Sequence, residues 1–500
     1  MSPLHAPSPV ELDDIQALVR FGFKHLTQSR FVLLQIRNRE AARAWLATAP
    51  VSSAIDTHPL PTTALQIAFT SDGLRALGVP SDVTEGLSDE YLGGMSGNTN
   101  RSRRLGDVEQ NDPARWQWGA RDRIPHVLLM LYAGDGLLEE FEQSIRSQWR
   151  DAFNELVSLT TSDFGGAEPF GFRDGLSQPT LDWKRERPVR DETKYAYTNL
   201  ACLGEFLLGY PNEYGGYTDR PLIDPQRAGA ASLPRAEDSP SKADLGRNGS
   251  YLVMRQLRQD VQGLWCYLDK QADGDAVLRE KLAAAMVGRT RDGIPLAGNT
   301  VGSGKATSRD DDTNAFTFGS DPDGIRCPLG AHIRRSNPRN ADLPPGPSGW
   351  ISRLIRILGF DPDALANDLV ASTRFHRLLR RGRGYGARIS PTEALSGTPS
   401  ASESGLYFIC LNANISRQFE FVQSAWIAGT KFDGLPCESD PLLGNRQPDP
   451  NTSATDVFSI PQDAGPAKRL TGLPSLVTVC GGAYFFLPGI RALRFIANAR

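Results

Sequence analysis

The chain has 500 residues, of which 40% are hydrophobic and 23% charged, with a formal net charge of -3. That length exceeds what a single hydrophobic core supports, so two domains and room for a large ligand are expected. The near-neutral balance and the scatter of basic residues exclude a nucleic-acid footprint, and no apolar run approaches the ~18 residues of a membrane-crossing helix.

The start, MSPLHAPSPVELDD, lacks the basic-then-apolar order of a signal peptide, which predicts a cytoplasmic protein with no membrane partner. Six cysteines lie far apart with no CxxC pair, so neither a disulfide framework nor structural zinc is predicted.

In chain order, FVLLQI (31–36) reads as a strand and NREAARAWLAT as the helix after it. LQIAFT (65–70) and HVLLMLYA (126–133) read as strands, GLLEEFEQSIRSQW (136–149) as an amphipathic helix, and FNELVSLT (153–160) as a closing strand. Strand, helix, strand, strand, helix, strand is the order of a ferredoxin-like unit with an antiparallel sheet. The second half repeats it: YLVMRQL (251–257), a helix-forming stretch from Asp269, IRCPLGAHI (325–333) as a strand, GLYFICLNANI (405–415), the helical QFEFVQSAWI, and AYFFLP (483–488). The fold class expected is therefore α+β, with an N-terminal unit over 1–215, a linker over 216–247 rich in Pro, Gly, Asp and Ser, and a C-terminal unit over 248–500. Two further polar, turn-rich stretches, 81–124 and 434–470, read as insertions.

Three segments carry candidate chemistry. GFRDGLSQP (171–179) sets Asp174 between turn-forming residues, an arrangement that a hydrogen-bonded turn also explains. In FTFGSDPDGIRCPLGAHIRRSNPR (316–339), His332 is followed by Arg334, Arg335 and Arg339, which points to something anionic nearby, although a histidine in such a place also serves as hydrogen-bonded structure. In FHRLLRRGRGYG (375–386), Arg380 and Arg381 precede a Gly-rich turn, which also reads as an exposed helix end. GSGKAT (302–307) fails the P-loop spacing and reads as a loop.

Taken together and in that order, GxxDG, CPxxAHIRxxNPR and RRGxxYG resemble the dye-decolorising peroxidase family of haem proteins, and the insertions resemble those of its larger members. The resemblance continues in DIQALVRFGFKHL, GEFLLGYPNEYG, NGSYLVMRQLRQDV and LYFICLNANISRQFEFVQSAW. It implies two ferredoxin-like halves with haem b held mainly by the C-terminal one, and His332 as the ligand to its iron. Asp174 then matches the distal acid/base and Arg380 the distal arginine. Arg334 is a candidate for pairing with haem propionates, with Gly175, Phe408 and Phe421 also at the haem. Hydrogen peroxide and small aromatic or dye reductants are the implied partners. The carboxylate or other acceptor that orients His332 is sought among Asn414, Ser416 and Glu420, of which only Glu420 is a carboxylate.

The chain departs from the family pattern in Arg383 and Gly384, where many relatives carry a proline, and in Cys480, where an arginine is common. The first change is expected to shift Arg380 or widen the pocket. Two alternatives share these motifs: a haem carrier, store or sensor with residual peroxidase activity, and a haem-free protein in which the motifs are relics.

Overall fold

The computed structural model describes residues 8–186, 198–298, 313–339, 373–397, 403–446 and 455–499. Nine strands form one antiparallel sheet. Those from the first half are β1 (Gln28–Ile36), β2 (Thr63–Phe69), β3 (Val127–Ala133) and β4 (Phe153–Thr160). The second half supplies β5 (Ser250–Gln259), β6 (Leu379–Arg380), β7 (Arg383–Tyr385), β8 (Gly405–Asn412) and β9 (Val477–Leu487).

Across the sheet the order is β6, β8, β5, β9, β2, β3, β1, β4, with β7 also paired to β8. Each half thus places its main strands fourth, first, third, second, the ferredoxin-like order. The halves meet where Phe69 of β2 pairs with Phe486 of β9. Alternation explains why both faces of the sheet are covered. In β1, Val32 and Leu34 enter one buried core while Phe31 and Leu33 enter another.

The first core packs under α1 (Arg39–Leu46), α2 (Leu138–Trp149), α3 (Val261–Gln271) and α4 (Ala276–Val287). Side chains fix where three of these helices begin: Asn38 accepts from the Ala41 amide at α1, and Asp260 and Asp275 accept from the first-turn amides of α3 and α4.

Two expected elements differ. IRCPLGAHI is not a strand, because Pro328 and Gly330 break the ladder and the Ala331 amide turns back to the Pro328 carbonyl. The chain instead enters a short helix, α5 (His332–Ser336), with His332 as its first residue. The missing strand is supplied by the arginine-rich segment read as a helix end, which forms β6 and β7 against β8.

The stretch 216–247 packs as a folded unit. Leu222–Ile223 pairs with Ala243–Asp244, and Asp244 accepts from Arg220 Nε at 2.6 Å. Glu237 holds Arg185 (2.7 Å), which ties this stretch to the preceding part of the chain, and Arg247 (2.9 Å), its own last residue. GSGKAT lies outside the described residues.

Candidate active site

Between the C-terminal half of the sheet and the loops that cover it lies a cavity with about 260 Å³ of space open to the centre of a water molecule. That is room for on the order of ten waters, far more than packing defects leave. Asp174, His332 and Arg380, the residues singled out from three separate segments, all line it.

Asp174 sits on the loop after β4. Residues 167–173 fold back on themselves, with Ala167 bridged to Arg173 and the Glu168 amide donating to the Phe172 carbonyl (2.9 Å). Gly171 (φ 97°) and Gly175 (φ 75°) occupy the left-handed region that the turn requires. Phe170 and Phe172 are buried and anchor the loop. Glu168 secures it from inside: its carboxylate accepts from the Phe170 and Phe172 amides (both 3.0 Å) and from Gln259 Nε2 (2.8 Å). Burial pushes the Glu168 carboxyl up to about 7, and those three donors offset the effect only in part.

Arg380, at the end of β6, donates from Nη1 to Asp174 Oδ1 at 2.9 Å. About a third of each side chain is exposed, and that exposure is to the cavity they line. Burial raises the Asp174 carboxyl, but the Arg380 charge and the Gly175 amide outweigh it, so the group is held below its ordinary value. The cavity therefore contains an ionised carboxylate paired with a permanent cation.

His332 begins α5, and its Nδ1 lies 2.9 Å from Asp440 Oδ2. Asp440 is fully buried, and its other oxygen accepts from the Leu442 (2.9 Å) and Leu443 (2.8 Å) amides. Burial raises this carboxyl, yet the His332 contact and the amides bring it below the ordinary carboxylate range. An ionised carboxylate only accepts, so Nδ1 carries a proton and Nε2 is left as the imidazole's second site. Asp440 belongs to the stretch read as an insertion. None of the three residues expected to orient His332 does so: Asn414 accepts from the Arg417 amide (2.8 Å), Ser416 opens the next helical turn, and Glu420 binds Tyr484 Oη and Arg101, each at 2.9 Å.

The expectation for Arg334 is corrected by its geometry. It is buried, is not among the cavity-lining residues, and donates to the carbonyls of Asp321 (2.9 Å), Cys327 (3.1 Å) and Pro322 (3.0 Å). The arginines that line the cavity are others, Arg289 and Arg339 among them, and Arg289 donates to Ser177 Oγ at 2.9 Å. Phe408 lines the cavity, whereas Phe421 stacks on His376 with ring centroids 3.6 Å apart and takes no part in the lining. Gly175 shapes the loop without lining the cavity. Arg383 leaves Arg380 in place, because it turns away to the Phe23 carbonyl (2.7 Å). Gly384 is packed on the Phe164 ring, which a Cβ would approach to 2.5 Å. Cys480 is buried in β9, and it is its neighbour Val479 that reaches the cavity.

The donor set fits haem. Phe408, Phe419, Val422, Leu442 and Leu443 offer apolar walls for a macrocycle, Arg289 and Arg339 bring charge suited to its carboxylates, and the carboxylate-backed imidazole suits its metal. No helix among the described residues is long and apolar enough to cross a membrane.

No family model matches the chain. Among curated proteins it is 27% identical over 517 residues to a dye-decolorizing peroxidase of Exidia glandulosa, covering 98% of this chain and 87% of that one. It is 28% identical over 409 residues to the multifunctional dye peroxidase DyP2 of an Amycolatopsis species, covering 77% of this chain and 74% of that one. Among solved structures, a fungal DyP-type peroxidase from Auricularia auricula-judae superimposes with a TM-score of 0.73 at 24% identity, covering 98% of this chain and all of that one. The chain is thus a homologue of peroxidase oxidoreductases. Within that class its relatives and its α+β fold are those of the dye-decolorising peroxidases, along nearly its whole length.

Proposed function

We propose that the protein is a haem b peroxidase that reduces hydrogen peroxide to water and draws the electrons from dyes, phenols and similar aromatic donors. The observation that carries this reading is the shared cavity, in which a carboxylate paired with an arginine and an imidazole backed by a buried carboxylate face the same space. We read the compartment as cytoplasmic, on the acidic opening of the chain, which lacks the basic-then-apolar order of a signal peptide.

His332 Nε2 would hold the haem, which when bound would supply a redox-active metal for the two-electron reduction of peroxide. The residues do the rest. The Asp174 carboxylate takes the proton from the inner oxygen of the peroxide and returns it to the outer one, so that water can leave. Its low proton affinity keeps it ionised and ready as a base to below its ordinary value of 3.8. Negative charge gathers on the departing oxygen, and Arg380 stabilises it without competing for the proton, since guanidinium does not deprotonate. Asp440 keeps the proton on His332 Nδ1 and so fixes both the ring's orientation and the nitrogen it presents.

Stopped-flow reaction of the haem-loaded protein with peroxide tests the roles. Asp174→Asn should retain haem and slow the reaction by about 10²- to 10⁴-fold. Arg380→Leu should slow it by about 10²- to 10³-fold. Unchanged rates in both variants would overturn the assignment. A wild type that binds haem yet barely responds to peroxide would instead identify a carrier or sensor.

A further inference from the structure

The last part of GFRDGLSQP is not used by the chemistry proposed above, yet the Gln178 side chain and the Ser177 carbonyl both meet Arg380. Gln178 Oε1 accepts from the Arg380 backbone amide at 3.0 Å, and Gln178 Nε2 donates to the Arg380 carbonyl at 3.1 Å. One side-chain amide therefore takes both main-chain groups of one residue. The strand explains why they are available. The Arg381 amide turns inward to the Ile409 carbonyl at 2.7 Å, so alternation turns the main-chain groups of Arg380 outward, away from β8. Gln178 occupies the place a further strand would take.

The same short loop grips the side chain as well. Asp174 accepts from Arg380 Nη1 at 2.9 Å, and the Ser177 carbonyl lies 3.5 Å from Nη2. The Gln178 carbonyl accepts from Asn314 Nδ2 at 3.1 Å, which ties the clamp to the segment leading into the His332 region. We propose that Gln178 is the positioning residue of Arg380, pinning the backbone of β6 to the Asp174 loop so that carboxylate and guanidinium move as one unit. The consequence for peroxide reduction rests on the function proposed above, whereas the clamp itself does not.

The test replaces Gln178 by methionine, which keeps length and loses both hydrogen bonds, with Gln178→Ala as the substitute should the first fail to fold. The primary readout is the titration of the Asp174 carboxyl in the full-length haem-loaded protein, followed by infrared difference spectroscopy and assigned by its loss in Asp174→Asn. A loosened Arg380 should move the midpoint upward by on the order of one pH unit, in the direction that Arg380→Leu moves it. The rate with peroxide should fall by about 10- to 100-fold, as misplacement of a charge-stabilising group does. Adding Arg380→Leu to Gln178→Met should cost little more than Arg380→Leu alone. An Asp174 titration identical to wild type in Gln178→Met overturns the clamp, as does a rate loss that simply adds to that of Arg380→Leu. A shifted titration together with an unaffected rate in Arg380→Leu leaves the clamp standing and removes the peroxidase roles.

Discussion

Asp440→Asn is nearly isosteric, and the structure states what it should do. Asp440 Oδ1 accepts two backbone amides, from Leu442 and Leu443, while Oδ2 faces His332 Nδ1. An asparagine must point its oxygen one way and its NH₂ the other. Turning the NH₂ toward the amides leaves two buried donors unpaired, at about 1–3 kcal/mol each. The oxygen therefore stays on the amides and the NH₂ faces His332, donating to Nδ1 and driving the imidazole proton to Nε2. The nitrogen that would hold haem iron under the proposed function is then blocked unless roughly 2–6 kcal/mol is spent on reversing the arrangement. At about 1.4 kcal/mol per tenfold, haem affinity should fall by about 30-fold or more. Transfer of haem to an apo-acceptor, followed in the visible spectrum, measures this. Asp440→Ala removes the acceptor without imposing a donor, so its loss should be smaller. Unchanged affinity in Asp440→Asn, or the reverse ranking of the two variants, refutes the tautomer reasoning.

Two other outcomes are expected. The folded state raises the Glu168 carboxyl from 4.5 to about 7, so between those values the unfolded chain releases a proton that the folded one keeps. Stability should therefore fall as pH rises through that window, by an amount on the order of 3 kcal/mol, and level off above it. Urea unfolding of wild type and Glu168→Gln across the window checks this, and identical pH slopes would count against it. Asp244→Ala removes a fully buried carboxylate from Arg220 Nε and the Arg247 amide, and should cost about 3–5 kcal/mol in urea unfolding. A loss below about 1 kcal/mol would mean that Asp238, the other partner of Arg220, suffices alone.

What was legible in the sequence follows from local physics. Alternating or continuous apolar runs bounded by turn residues identify β1 to β4, β5, β8 and β9, because a strand's burial pattern is written in its own residues. Asp174, His332 and Arg380 stand out because the residues around each match a family pattern. The sequence alone thus determined the fold class, the two-unit order and the three residues that share the cavity.

Only tertiary structure decided the rest. Asp440 lies 108 residues beyond His332 in a stretch that reads as a polar insertion, and nothing local marks a carboxylate whose partner comes from another element. Which arginines reach the cavity depends on packing: α5 turns Arg334 into a cage of carbonyls, while Arg339, just beyond it, lines the cavity. The segment holding Arg380 is helix-like in composition, yet it forms β6 because β8 offers a free edge and Gln178 covers the other side. Hydrogen bonds between groups this far apart in the chain are set by how the sheet brings its elements together, and no run of neighbouring residues encodes that.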